Sequence, residues 1–286
     1  MDIRSLWDFD DPAASEAVFR RLLADAQGDD ALSLRTQVAR THSLRRQFAQ
    51  AHAELDAMQP ALETAGPEPR VRHLLERGRT LRSAGERQQA RPLFAQAVEL
   101  ARAARLDELA VDAMHMVALV EPDTADQLAW NDRALAVALA SDEPNARAWE
   151  GSLANNIGMS LHGAGRFDEA LASFRQALAA RERDGRPVQL RIAHWMVAWT
   201  LRALRRHEAA LAIQLRLERE WAEAGAVDGW VFAELGENLL ALGREAEAGS
   251  WFGRAIDALG DDLPDADTLA RWRRLIPDGH PGCERL

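Results

Sequence analysis

The residues in this chain best placed to do chemistry are two histidine–carboxylate pairs at helical spacing. His73 with Glu76, and Asp112 with His115, stand i, i+3 apart, so one helix face would present both members of each pair as the start of a metal site. No third ligand accompanies either pair, and such neighbours on a charged helix are ordinarily solvent pairs, so no metal is assigned. His207-Glu208 does not extend to the two-histidine zinc motif, because Leu211 stands where the second histidine would be. Cys283 is the single cysteine. It excludes an intrachain disulfide, a cysteine-based zinc site and a redox pair, and reads as a stray thiol in a C-terminal tail.

The basic residues sharpen the exclusions. The 35 Lys+Arg positions are all arginine, against 45 Asp+Glu, and tyrosine is absent. Without lysine there is no Walker-type phosphate loop, no Schiff base and no kinase-type catalytic lysine. There is no Gly-x-Ser-x-Gly elbow and no Gly-x-Gly-x-x-Gly loop. A formal net charge of -10 argues against a phosphate-neutralising surface, so no nucleic-acid partner is expected. The chain is therefore read as a non-enzyme that needs no cofactor. It contains no run of about 18 apolar residues and does not start with a basic-then-apolar signal segment, so a cytoplasmic protein without a membrane partner is expected.

What positions these side chains is clearest in residues 151–180, GSLANNIGMSLHGAGRFDEALASFRQALAA. Leu153, Ile157 and Leu161 share one helical face with Gly158. Gly163-Ala164-Gly165 breaks the helix, and a second helix carries Ala170, Phe174 and Ala177 at i, i+4, i+7. A small residue in one helix facing an Ala-x3-aromatic-x2-Ala stripe in the next lets two backbones approach closely. This stretch resembles a tetratricopeptide repeat.

Aligning the rest of the chain on Ala170 gives further copies. Ala90, Phe94 and Ala97 occupy the stripe with Gly78 at the small site, and Ala248, Phe252 and Ala255 do so with Gly236. Ala51, Leu55 and Met58 form another, as do Ala210, Gln214 and Leu217. The spacing demands one more around residues 108–140, where Gln127 and Asn131 replace the usual alanine and aromatic and Pro122 falls in the turn. The period is nearer to about 40 than to the usual 34 residues. In that it is similar to the longer variants in kinesin light chains and in bacterial regulators that bind signalling peptides.

The resemblance implies an all-α fold, a right-handed α-solenoid of antiparallel helix pairs spanning residues 1–286 as one domain. Residues 1–31 would form an N-terminal helix or degenerate half repeat, with Ala14, Val18, Leu22 and Leu23 toward one side and an end near Gly28. Residues 32–260 would hold about six helix pairs, 264–276 a capping helix, and 277–286 a disordered tail. It also implies that the first helix of each pair lines a concave face. There the register presents Arg40, Arg72, Arg79 and Arg82, then Asn155, Asn156, Met159 and His162, then Trp195, Trp199, Arg202, Trp230 and Glu237. That groove would be basic in its N-terminal half and aromatic toward the C-terminal half. Arginine forks hold carboxylates bidentately and tryptophan gives rigid apolar contact, so an extended peptide with acidic residues and apolar anchors would fit. Trp195 and Trp199 could equally be core between stacked helices, and the arginines could be a solvated face paired with nearby glutamates. The function implied is a scaffold that binds a protein or peptide along this groove. A regulatory sensor for a small ligand or signalling peptide, and a self-association scaffold, are the alternatives.

Overall fold

Alternating apolar and charged positions at a period of 3.6 residues make this chain helical almost throughout, and a repeated turn folds the helices back on one another. In the computed structural model, which describes residues 2–277, no strand occurs among the described residues. The residues cluster into two compact units that divide between Leu153 and Ala154.

The first unit opens with a 3₁₀ turn, Ile3–Leu6, followed by α1 (Pro12–Leu23) and α2 (Gly28–Leu44). Then come α3 (Phe48–Asp56), the short α4 (Gln59–Leu62), α5 (Pro67–Ser83), α6 (Arg87–Ala103), α7 (Asp107–Ala118), α8 (Thr124–Ala140) and the short α9 (Pro144–Arg147). The boundary falls inside α10 (Glu150–Gly163). The second unit continues with α11 (Phe167–Asp184), α12 (Pro187–Ala203), α13 (His207–Glu223), α14 (Gly229–Ala241), α15 (Glu245–Leu259) and α16 (Ala266–Leu275). Within each unit helices pack mainly on their chain neighbours, the contact pattern of a helical-repeat solenoid.

The expected pairs appear as α2/α3, α5/α6, α7/α8, α10/α11, α12/α13 and α14/α15. The stripe residues fill the pair interfaces: Phe94, Phe174 and Phe252 are fully buried, as are Ala90, Ala170, Ala210 and Ala248. Each buried phenylalanine contributes roughly 1.5–3 kcal/mol of apolar burial. Each also lies against a glycine of the preceding helix, Gly78, Gly158 or Gly236, with no space for a β-carbon. α11 shows why these segments are helices. Asp168 and Glu169 stand in its first turn and Arg181 and Arg183 in its last, complementing the helix dipole, and Gly185 ends it in a left-handed conformation.

The turn inside five of the pairs is one motif. Arg46, Gly85, Gly165, Arg205 and Gly243 all have positive φ, and each donates its N–H to a carbonyl three residues back, while the following residue's N–H reaches five back. Glycine adopts this conformation cheaply, whereas arginine does so at a cost.

One local expectation needs revising. The N-terminal helix packs through Phe19 and Ser15, while Ala14 is exposed and Val18 only half-buried. Its Asp11 cap accepts from the Ala13 and Ala14 amides, so the register is fixed at its start, and it ends at Leu23, with Gly28 beginning α2. The unit near 108–140 is a regular helix pair despite its poor markers: Asn131 is buried at the aromatic site and donates to the Gln127 carbonyl. The C-terminal helix runs Ala266–Leu275 with Asp265 as its cap and Trp272 buried against Phe252. The tail from 278 on, with Cys283, lies outside the described residues.

Gln214 occupies the aromatic site of the α12/α13 pair. It is fully buried, and neither its amide oxygen nor its amide nitrogen has a partner. A buried unsatisfied amide costs about 1–3 kcal/mol, so Gln214→Met is expected to stabilise the fold by about 1–2 kcal/mol. Thermal unfolding checks this, since a lower melting temperature in the variant refutes it.

Candidate functional site

The first helices α2, α5 and α7 bring together four charged groups in the first unit. Arg79 on α5 forks both oxygens of Asp112 on α7 and also holds Glu76 one turn back on its own helix. Arg40 on α2 reaches the same Glu76 oxygen at 3.3 Å. Burial pushes the Asp112 carboxyl up, and the Arg79 guanidinium more than reverses this, leaving it below the ordinary carboxylate range. For Arg79 itself burial works against the charge, but Asp112 and Glu76 hold it above its ordinary value. Arg40 is the less well served cation: burial pushes it down, Arg79 adds to that, and Glu76 only partly offsets them.

Arg40 and Arg79 therefore do not present a free cationic stripe. They are spent on carboxylates one repeat along, Arg40 on Glu76 and Arg79 on Asp112. Arg72 pairs with Glu68 at 2.9 Å, and Arg82 keeps a buried Nε with no acceptor. Burial pushes the Arg82 guanidinium down, and Arg87 and Arg79 add to it. Between α2, α5, α7 and α9 lies a cavity of about 210 Å³ lined by Arg40, Glu76, Arg79 and Asp112, among others. The two histidine–carboxylate pairs do not converge. His73 meets the Leu55 carbonyl at 3.1 Å, while Glu76 and Asp112 face the arginines. Burial holds His73 and His115 below the ordinary imidazole range.

The second unit assembles an aromatic row. His162 at the end of α10 stacks on Trp199 of α12, with ring centroids 3.4 Å apart, and Trp199 stacks on Trp195 one turn earlier at 5.7 Å. Burial, then the Arg202 charge, keeps the His162 imidazole below its ordinary range. Asn155 and Asn156 are half-buried on α10, and Met159 is 42% exposed on the same helix.

Next to Trp195 opens a recess of about 130 Å³ between the start of α12, the end of α13 and the start of α14, lined by Arg191, Ile192, Trp195, Trp221, Asp228 and Trp230. Arg191 lies 4.0 Å over the Trp221 ring, and Trp230 donates its indole N–H to Asp262 at 3.0 Å. The Trp195 indole N–H and the Arg191 Nε are buried without an acceptor. Ile192 and Trp230 remain substantially exposed at its mouth. Trp195 and Trp199 are thus half-buried and shared between packing and surface.

The remaining predicted positions are spoken for inside the fold. Arg202 forks Glu234 at 2.7 and 2.8 Å, and burial pushes the Glu234 carboxyl up in spite of that fork. Glu237 accepts from Arg271 at 2.6 Å and from the Trp272 indole at 2.7 Å, which ties α16 to α14. Trp221 and Arg191 escaped the sequence reading because they sit outside the inward register of the first helices. The arginine partners could have been found, since an acidic residue stands about one repeat after Arg40, Arg79 and Arg202.

Residues 149–219 match a family model described as tetratricopeptide repeat. No curated protein matches the sequence. Among solved structures, the apo form of RapI superposes with a TM-score of 0.74 at 11% identity, covering 92% of this chain and 76% of that one. A Rap protein complexed with competence and sporulation factor gives 0.56 at 14% identity, over 96% of this chain and 83% of that one. A putative kinesin light chain from Podosopora anserina, described as having nearly identical TPR-like repeats, gives 0.55 at 15%, over 68% and 96%. No helix among the described residues is long and apolar enough to cross a membrane. The glycine–phenylalanine interfaces, the repeated turn and the matched segment together identify residues 149–219 as tetratricopeptide repeats within an all-α helical-repeat fold.

Proposed function

We propose that the chain is a non-catalytic scaffold of the cytoplasm that binds a short peptide or peptide-like segment of a partner protein, and that the aromatic recess of the second unit anchors it. The observation that carries this is the pairing of open apolar walls with two buried donors lacking acceptors, Trp195 Nε1 and Arg191 Nε. A bulky apolar side chain would fill the recess, while a carbonyl or carboxylate beside it would accept from those donors. A peptide supplies both features at adjacent positions. The Rap protein solved with competence and sporulation factor supports this reading by analogy of fold.

Panning a random peptide display library on the intact chain tests it. The enriched peptides are expected to share a bulky apolar residue next to an acidic residue or a chain end. Their affinity should fall by at least about tenfold in Trp195→Ala and in Trp230→Ala, the usual scale for a central aromatic contact. Unchanged affinity in both variants, with helical content preserved, would refute the assignment.

A further inference from the structure

The cavity of the first unit already has an occupant, and it is the chain's own N-terminal arm. Residues 2–9, Asp-Ile-Arg-Ser-Leu-Trp-Asp-Phe, precede the first α-helix and lie over α2, α5 and α9. Ile3 is buried, and it lines the cavity beside Leu75 and Leu109. Arg4 donates to the Asn145 carbonyl at 3.4 Å and sits 5.7 Å from the centroid of the Trp149 ring. Trp7 donates its indole N–H to Gln37 at 2.9 Å. Trp7 and Phe9 stack at 4.8 Å, and the Arg40 guanidinium lies 5.4 and 5.3 Å from their centroids. An apolar residue, an arginine and two aromatics on one short segment thus meet a wall, a carbonyl and a cation in turn.

The fit is incomplete in a specific way. Below the arm, about 210 Å³ stays unfilled, and three buried polar atoms at its lining lack partners: Glu76 Oε2, Arg40 Nε and Trp149 Nε1. One acceptor and two donors are what an extended peptide backbone would complement with one N–H and two carbonyls. Several side chains of the arm, including Phe9, are largely exposed. What holds the arm is the packing of Ile3, Leu6 and Trp7 against Phe19, Leu34 and Val38, and that small cluster sets the cost of opening it.

We infer that the cavity of the first unit is a second peptide-binding site, selective for a segment carrying an apolar residue, an arginine and then an aromatic, and that residues 2–9 are its tethered competitor. A peptide of the same pattern would displace the arm, and one whose backbone also enters the unfilled space would satisfy the three orphaned atoms. This rests on contacts within the first unit alone, so its failure leaves the recess of the second unit untouched.

The probe is a fluorescent synthetic peptide with the sequence of residues 2–9, titrated by anisotropy against three full-length or near-full-length chains. These are the wild type, a deletion of residues 2–9, and the double substitution Ile3→Ala/Trp7→Ala. The last keeps the backbone of residues 2–9 in place and serves if the deletion does not fold. Binding is expected to be at least tenfold tighter to the arm-deleted or arm-loosened chain than to wild type, with a scrambled peptide binding none of them. The inference is overturned if a folded variant fails to bind the peptide, if the scrambled peptide binds equally, or if wild type binds as tightly as the variants. A wild-type dimer that the deletion converts to monomer overturns occupancy in cis, assigning the arm to a second copy.

Discussion

Arg79→Ala is expected to cost the fold about 3–5 kcal/mol, the scale for removing one partner of a buried ion pair. The guanidinium bonds both Glu76 and Asp112, and all three side chains are buried or nearly so. Its loss leaves two carboxylates under the arm without their closest cation, and the charge of Arg40 beside them is already disfavoured by burial. Arg79→Lys keeps the charge but not the planar fork, so it should recover only part of the loss. Replacing the set together, as Arg79→Met/Glu76→Leu/Asp112→Leu, removes the uncompensated charge and should return the chain to within about 2 kcal/mol of wild type, because such sets seldom gain net stability over apolar packing. Urea denaturation of the three variants decides the matter. An Arg79→Ala loss below about 1 kcal/mol would mean the carboxylates find water instead.

The same pairing gives a sign for pH. The Asp112 carboxyl is held below its ordinary value in the folded chain, so its contribution is fully present above the unfolded value near about 3.9 and is lost as pH falls through the folded one. Arg79→Ala should therefore flatten the acid limb of the stability curve as well as lower its plateau.

Much of the scaffold could be read from residue types because its rule is local. Glycine, alanine and phenylalanine at fixed offsets report on a contact between two helices joined by one turn, and Gly158 with Phe174 carries that information within a single repeat. The turn itself was legible only where glycine fills it. Arg46 and Arg205 adopt the same left-handed conformation with no compositional signal, because packing of the flanking helices imposes it. The site was less legible for a related reason. Whether Arg40 and Arg79 face a ligand or a carboxylate depends on the next repeat's register, and the partner Asp112 comes from the first helix of the pair with the poorest markers. The arm over the first unit has neither helical nor strand periodicity, so nothing in residues 2–9 announced where it would lie.

The close contact between Gly158 and Phe174 makes the sharpest test of that local rule, through a change of sign rather than a size. A β-carbon at Gly158 would stand 2.7 Å from two ring atoms of Phe174, and the ring is fully buried and has no room to retreat. Overpacking of this kind costs about 1–3 kcal/mol, against a gain of about 1 kcal/mol for alanine over glycine inside a helix. Gly158→Ala alone should therefore destabilise, by up to about 2 kcal/mol. Phe174→Ala alone should cost about 3–5 kcal/mol, since it empties the pair interface between α10 and α11. In that emptied background the clash has no partner, the new methyl enters vacated space, and the helix preference remains. Gly158→Ala added to Phe174→Ala is then expected to stabilise by about 1 kcal/mol, and the double-mutant cycle should show coupling of about 1–3 kcal/mol. If the glycine substitution costs the same with and without the ring, backbone approach to the aromatic is not what requires glycine there, and the parallel positions Gly78 and Gly236 lose their explanation with it.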